Sequence, residues 1–105
     1  MGTTLTAYLE LREPGHPWDR FATWHFQKNY TLMAALGAVA ERDWPLDATH
    51  RNEPQYDHHR YWLGSADLGL VELPPEDSSP LWPALCGALE SLPSVIESRV
   101  LFIEI

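Results

Sequence analysis

Residues 3 to 12, TTLTAYLELR, alternate so strictly that they constrain the fold more than any other stretch. Leu5, Ala7, Leu9 and Leu11 fall on one side of an extended chain, and Thr6, Tyr8, Glu10 and Arg12 fall on the other. The spacing predicts a half-buried strand. At the opposite end, residues 100–105, VLFIEI, are apolar on both sides apart from Glu104, the pattern of a strand inside a sheet rather than at its margin. An interior strand needs a neighbour on each side, and the first strand is the natural one.

Between these two strands the chain divides into recognisable pieces. Glu13, Pro14, Gly15, His16 and Pro17 are turn chemistry, because the prolines fix φ and the glycine admits positive φ. In the aromatic run 18–26, WDRFATWHF, Phe21 and Thr23 oppose Trp24 and Phe26 imperfectly, so a hairpin partner to the first strand requires a local bulge to restore its register. Asn29 is a suitable N-cap, and Leu32, Met33, Leu36, Val39 and Ala40 then recur at helical spacing, which predicts a helix over 30–41. Gly37 inside it costs about 1 kcal/mol relative to alanine and suggests close approach of another element.

Residues 43–57, DWPLDATHRNEPQYD, form a long loop without period. Residues 59–63 then read as extended, and Ser65 as the cap of a brief helix through Leu70, with Asp67 well placed in its positive first turn. Ser79 followed by Pro80 signals a second helix over 79–91. Leu81, Leu85, Leu89 and Leu92 with Ala88 make its apolar stripe, down to the break at Pro93. The expectation is an α+β fold: a small, mainly antiparallel sheet, first and last strands adjacent, two main helices packed on one face, all in a single domain over 1–105.

A chain of 105 residues leaves much of its surface exposed, so its core must be dense in large side chains, and five Trp, four Tyr and three Phe supply them. The formal charge of −8 disfavours binding driven by phosphate neutralisation, which argues against direct contact with nucleic acid or anionic membranes. No apolar run approaches the roughly 18 residues of a membrane span. Cys86 alone allows no internal disulfide and no thiolate-rich metal site, and MGTTLTAYLE lacks the basic and apolar regions of a signal peptide. A cytoplasmic location is the expectation.

The densest polar cluster is His50, Glu53, Asp57, His58 and His59, the ligand types of zinc and other divalent metals. A metal-binding protein or metal-dependent hydrolase using His50, Asp57, His58 and His59 is therefore one reading. Against it, adjacent histidines in an extended segment point apart, and no H-x-H or H-x-x-x-H spacing is present. A loop with solvated histidines is the plainer alternative, and no cofactor is implied. Glu10 and Glu104 lie on strands expected to pair and could share a proton as an acid and base; alternatively each faces solvent or pairs with Arg12 or Arg99. Cys86 lies beside the second helix's apolar stripe, with no base close in sequence to lower its pKa, and reads as a packing residue.

Charge is distributed unevenly. From Gly64 onward Asp67, Glu72, Glu76, Asp77, Glu90, Glu97 and Glu104 stand against Arg99 alone, whereas the first 63 residues carry eight acids and six bases. An acidic face of this kind steers a basic protein surface toward it; it also serves solubility. Trp44, Tyr56, Tyr61 and Trp62, near the long loop, are candidate contact anchors beside Glu72, Glu76 and Asp77, since rigid aromatics dominate interface energies. The competing possibility is that the aromatics are core. A self-associating module is a third reading.

Taken in order, MGTTLTAYLELR, KNYTLMAALGAV, DHHRYWLGSADL and VLFIEI resemble a group of small, uncharacterised proteins of bacteriophage and prophage genomes. In that group an initial Met-Gly strand ends in Glu, a G-R-[ND]-Y-x-L-F helix start follows, a D-x-H-S-H-S-W-L-T-L-x-E-L segment comes next, and a hydrophobic strand closes the chain. Asn29-Tyr30-x-Leu32, Trp62-Leu63 and Asp67-Leu68 match in order and spacing. Where the group has Asp and His in its first strand this chain has Thr4 and Thr6, and where it has H-S-H-S this chain has His58-His59-Arg60-Tyr61. Of any metal set carried by those positions, Glu10, Asp57 and His58 or His59 would remain. The resemblance implies a small phage accessory protein in the host cytoplasm that inhibits a host component such as a defence complex. Joined to the acidic charge and the missing catalytic constellation, the expectation is a non-enzymatic protein that binds a basic host protein surface, such as a nucleic-acid-binding groove.

Overall fold

The computed structural model describes residues 5–26, 30–42, 44–49, 59–71 and 81–104. Four strands, β1 (Leu5–Arg12), β2 (Asp19–Phe26), β4 (His59–Gly64) and β5 (Glu97–Glu104), form an antiparallel sheet, extended at one margin by the two-residue β3 (Glu41–Arg42). The order across the sheet is β2-β1-β5-β4-β3, so the first and last strands are neighbours in its middle. Two helices, α1 (Tyr30–Val39) and α2 (Leu81–Glu90), complete an α+β fold.

Leu5, Ala7 and Leu9 of β1, Val100 and Phe102 of β5, Tyr61 and Leu63 of β4, and Phe26 of β2 share one side of the sheet. Leu32, Met33 and Leu36 of α1 and Trp82 and Leu85 of α2 pack into this same layer, so both helices lie on one face. The Tyr61 and Phe102 rings stack with centroids 5.5 Å apart, and Phe26 meets Trp82 at 6.4 Å. Burying a leucine as completely as Leu36 or Leu85 contributes about 1.5–3 kcal/mol, and that is the main force closing this face.

The β1–β2 turn follows from its residues. The His16 N–H donates to the Glu13 carbonyl at 3.0 Å across Pro14 and Gly15, and Gly15 has φ 85°, a conformation only glycine adopts freely. The broken alternation of 18–26 is resolved by a register shift: Leu9 faces Ala22 while Glu10 faces Arg20, leaving Phe21 as the extra residue, 66% exposed.

Several expectations are corrected. The first helix ends at Val39, not 41, because Glu41 and Arg42 pair with Trp62 and Tyr61. Tertiary pairing overrides helical spacing there. Gly37 is exposed, and a Cβ on it would meet nothing within 4 Å among the described residues, so none of the described elements approaches it. The short helix Ser65–Leu70 is a 3-10 helix with Gly64 at its cap position and no side-chain cap; Asp67 does lie in its first turn. The Asn29 cap and the Ser79-Pro80 start lie outside the described residues. Most consequentially, β1 is not half-buried. Thr6, Tyr8 and Glu10, on the side away from the helices, are buried too.

What buries them is part of the long loop. Residues 44–49 run across the second face of the sheet as a strap, with Trp44 and Ala48 packed against Tyr8, Leu101 and Ile103, and Trp62 at the margin of the cluster. A turn closes the strap, the Ala48 N–H donating to the Pro45 carbonyl at 3.1 Å. No described helix is long and apolar enough to cross a membrane.

Candidate functional site

The strap is held by directional contacts. Trp44 Nε1 donates to the carbonyls of Tyr61, at 3.2 Å, and Phe102, at 3.0 Å, two residues that face each other across β4 and β5. The Trp44 ring meets Tyr8 edge-on at 5.9 Å, and the Arg60 guanidinium lies 4.3 Å above it. At the other end of the strap, the Thr49 N–H donates to Glu10 Oε2 at 2.6 Å.

Glu10 faces Arg99 across β1 and β5, and that register brings their side chains together: Arg99 Nε donates to Glu10 Oε1 at 2.6 Å. Arg99 Nη1 reaches Asp47 Oδ1 on the strap at 3.1 Å, and its guanidinium lies 4.0 Å from the centre of the Trp18 ring. Arg12 covers the same ring at 4.4 Å and is paired with Glu97. Arg99 Nη2 is buried without a hydrogen-bond partner among the described residues.

This arrangement decides the acid and base reading. Glu10 is fully enclosed and both its oxygens accept protein hydrogen bonds, so no substrate reaches it. Glu104 pairs with Leu5 on the helix-covered face, where its Oε1 accepts from the Tyr61 hydroxyl at 3.0 Å. The two carboxylates are on opposite sides of the sheet and share no proton. Of the alternatives, the structure selects Arg99 as the partner of Glu10. Burial, and then the charge of Glu104, push the Tyr61 phenol well above its ordinary value and keep it protonated.

The expected contact anchors divide. Trp44 and Tyr61 are core residues, 3% and 7% exposed, because one closes the strap face and the other lies in the helix-covered layer; this corrects their assignment to a contact surface. Trp62 is half-buried. Tyr56, Glu72, Glu76 and Asp77 lie outside the described residues, as do His50, Asp57 and His58 of the candidate metal set. His59 is placed as the first residue of β4, opposite Glu104. Among the described residues no group of three metal-ligating side chains comes together.

A second feature was not anticipated. The 3-10 helix and α2 enclose a shallow cleft of about 270 Å³, lined by Ser65, Ala66, Leu68, Gly69, Cys86, Leu89 and Glu90. Its described lining is mainly aliphatic, with the Glu90 carboxylate as the one charge among those residues. Asp67 stands exposed on the 3-10 helix. Burial, and then the Glu90 charge, raise the Cys86 thiol pKa, which makes it a poor nucleophile and agrees with a packing role. The helical spacing of Cys86, Leu89 and Glu90 was visible in the sequence; that the 3-10 helix lies against them was not.

Comparison of the chain with protein-family models, with curated proteins and with solved structures finds no match.

Proposed function

We propose that the protein is a non-catalytic binding domain, of the phage accessory type, that occupies a basic surface on a host protein and inhibits it, a nucleic-acid-binding groove of a defence complex being the kind of target that fits. One observation carries this reading. Arg99 is the only Lys, Arg or His from Gly64 onward, and it is turned inward against Glu10 and Asp47. This part of the sequence therefore has no other base to turn outward, and among the described residues Asp67, Glu90 and Glu97 are all exposed, Glu97 alone being paired, with Arg12. Such a surface favours encounter with a positive cleft and repels nucleic acid. The resemblance to phage proteins supplies the setting.

The test is affinity capture from a bacterial host lysate, followed by association kinetics with the captured protein. A basic partner whose association rate falls about tenfold or more at low salt when Asp67, Glu90, Glu72, Glu76 and Asp77 are changed to lysine is the expected result. A captured partner that binds the charge-reversed variant at the wild-type rate, at low and high salt alike, removes the basis for the proposal.

A further inference from the structure

We propose that the cleft between the 3-10 helix and α2 receives a lysine side chain of the basic partner, an inference that rests on the acidic-surface reading above and names the place where it acts. Lysine couples a four-carbon apolar stem to a compact ammonium, and it favours sites that are greasy along their length and negative at one point. The cleft has that form. Leu68, Leu89 and the half-buried Cys86 offer the apolar lining, and Glu90 is the only charged group among the described lining residues. Among the described residues that line the cleft there is no base to compete for Glu90, and Arg99 is committed to Glu10 and Asp47.

Two further observations favour lysine over arginine and an open cleft over a filled one. The guanidinium groups of Arg12 and Arg99 lie over Trp18 and that of Arg60 lies over Trp44, whereas the described lining of the cleft contains no aromatic ring to receive one. Gly69 forms part of the wall, and a Cβ built on it would meet no atom of the described residues within 4 Å, so they leave room beside it. Leu70, 61% exposed at the end of the 3-10 helix, offers an apolar contact for the residue next to the inserted lysine.

The experiment is an NMR titration of the ¹⁵N-labelled chain with N-acetyl-lysine methylamide, its norleucine analogue and its arginine analogue. The lysine compound is expected to produce saturable shifts confined to the amides of residues 65–69 and 86–90, stronger than with either analogue. Glu90→Gln is expected to weaken it about 2–5-fold, the range of an exposed ion pair. Gly69→Leu leaves every charge in place and is expected to abolish the saturable response. Alkylation of Cys86 by iodoacetamide, followed by mass spectrometry, is expected to slow as the cleft fills. Thermal melts confirm that both variants fold. Shifts spread without saturation over all exposed acids, an unchanged response in Gly69→Leu, or equal binding of the arginine compound overturns the proposal. If the cleft fails these tests while the captured partner still responds to charge reversal, the acidic-surface reading stands without it; if neither responds, both fall.

Discussion

The two faces of the sheet are closed by different physics. On one, α1 and α2 lay Leu32, Leu36 and Leu85 over Leu5, Leu9 and Phe102, and the closure is additive and non-directional. On the other, six residues without regular structure do the covering, and they succeed through a few specific contacts: Trp44 on two carbonyls, the Thr49 amide on Glu10, and Asp47 on Arg99. Both α-helices of the described residues are used on one face. The other face can be dry only if a short strap is pinned, and a buried ion pair in the strand register supplies the pins. Closure of that kind is conditional, since among the described residues Arg99 is already one hydrogen bond short at Nη2, which costs about 1–3 kcal/mol.

The largest expected effect breaks this contrast at its centre. Arg99→Met leaves Glu10 charged, buried and half-satisfied, and is expected to cost about 3–5 kcal/mol in urea denaturation. Replacing both Glu10 and Arg99 with methionine removes the unpaired charge and is expected to recover most of that loss, while amide exchange at Thr49 accelerates because its acceptor is gone. On the helix-covered face Leu85→Ala, worth about 2–5 kcal/mol, has no such second-site recovery through charge removal. If the double variant is as unstable as Arg99→Met, the strap face depends on shape and not on charge pairing, and the contrast between the faces disappears.

The same contrast explains what the sequence disclosed. The helix-covered face was readable because its residues repeat: Leu5, Ala7 and Leu9 at period two, and Leu32, Met33 and Leu36 at helical spacing. Even the bulge at Phe21 showed as a fault in an alternation. The strap face was not, because Thr6, Glu10 and Arg12 look like solvent residues until Arg99, 89 positions after Glu10, is brought opposite. For Trp44 the sequence leaves anchor and core both open, because a loop without period gives no sign of what it covers, and burial decides for core. The cleft was hidden for a similar reason, as Leu68 and Leu89 belong to separate elements that nothing local joins. The charge imbalance was legible as a count; that Arg99 subtracts itself from the surface was not.

A smaller effect probes a long-range polar contact of the helix-covered face, between Tyr61 and Glu104. Tyr61→Phe deletes the hydroxyl that donates to Glu104 and is expected to cost about 1–2 kcal/mol at neutral pH, as for a partly buried bond to a carboxylate. Its pH signature is distinct. The folded phenol holds its proton more tightly than the unfolded one, so its contribution is complete below pH 10.0, the ordinary tyrosine value, and declines above it as the unfolded chain ionises first. Wild-type stability measured from pH 9 to 11 should fall more steeply than that of Tyr61→Phe. Parallel curves would place the hydroxyl in water.

The smallest expected effect tests whether the strap is pinned from its exposed side as well as its buried one. Asp47 bonds Arg99 Nη1, yet its side chain is 60% exposed, so the pair is screened on one flank. Asp47→Asn is expected to cost less than about 1 kcal/mol, and the difference from wild type should shrink in high salt, as it does for surface pairs. The buried Glu10–Arg99 contact, 2.6 Å long and shielded, should show no comparable salt dependence. A loss at Asp47 equal to that at Arg99 would mean that the two carboxylates share the guanidinium on equal terms, and that the strap is fixed as much by its outward-facing acid as by the one enclosed beneath it.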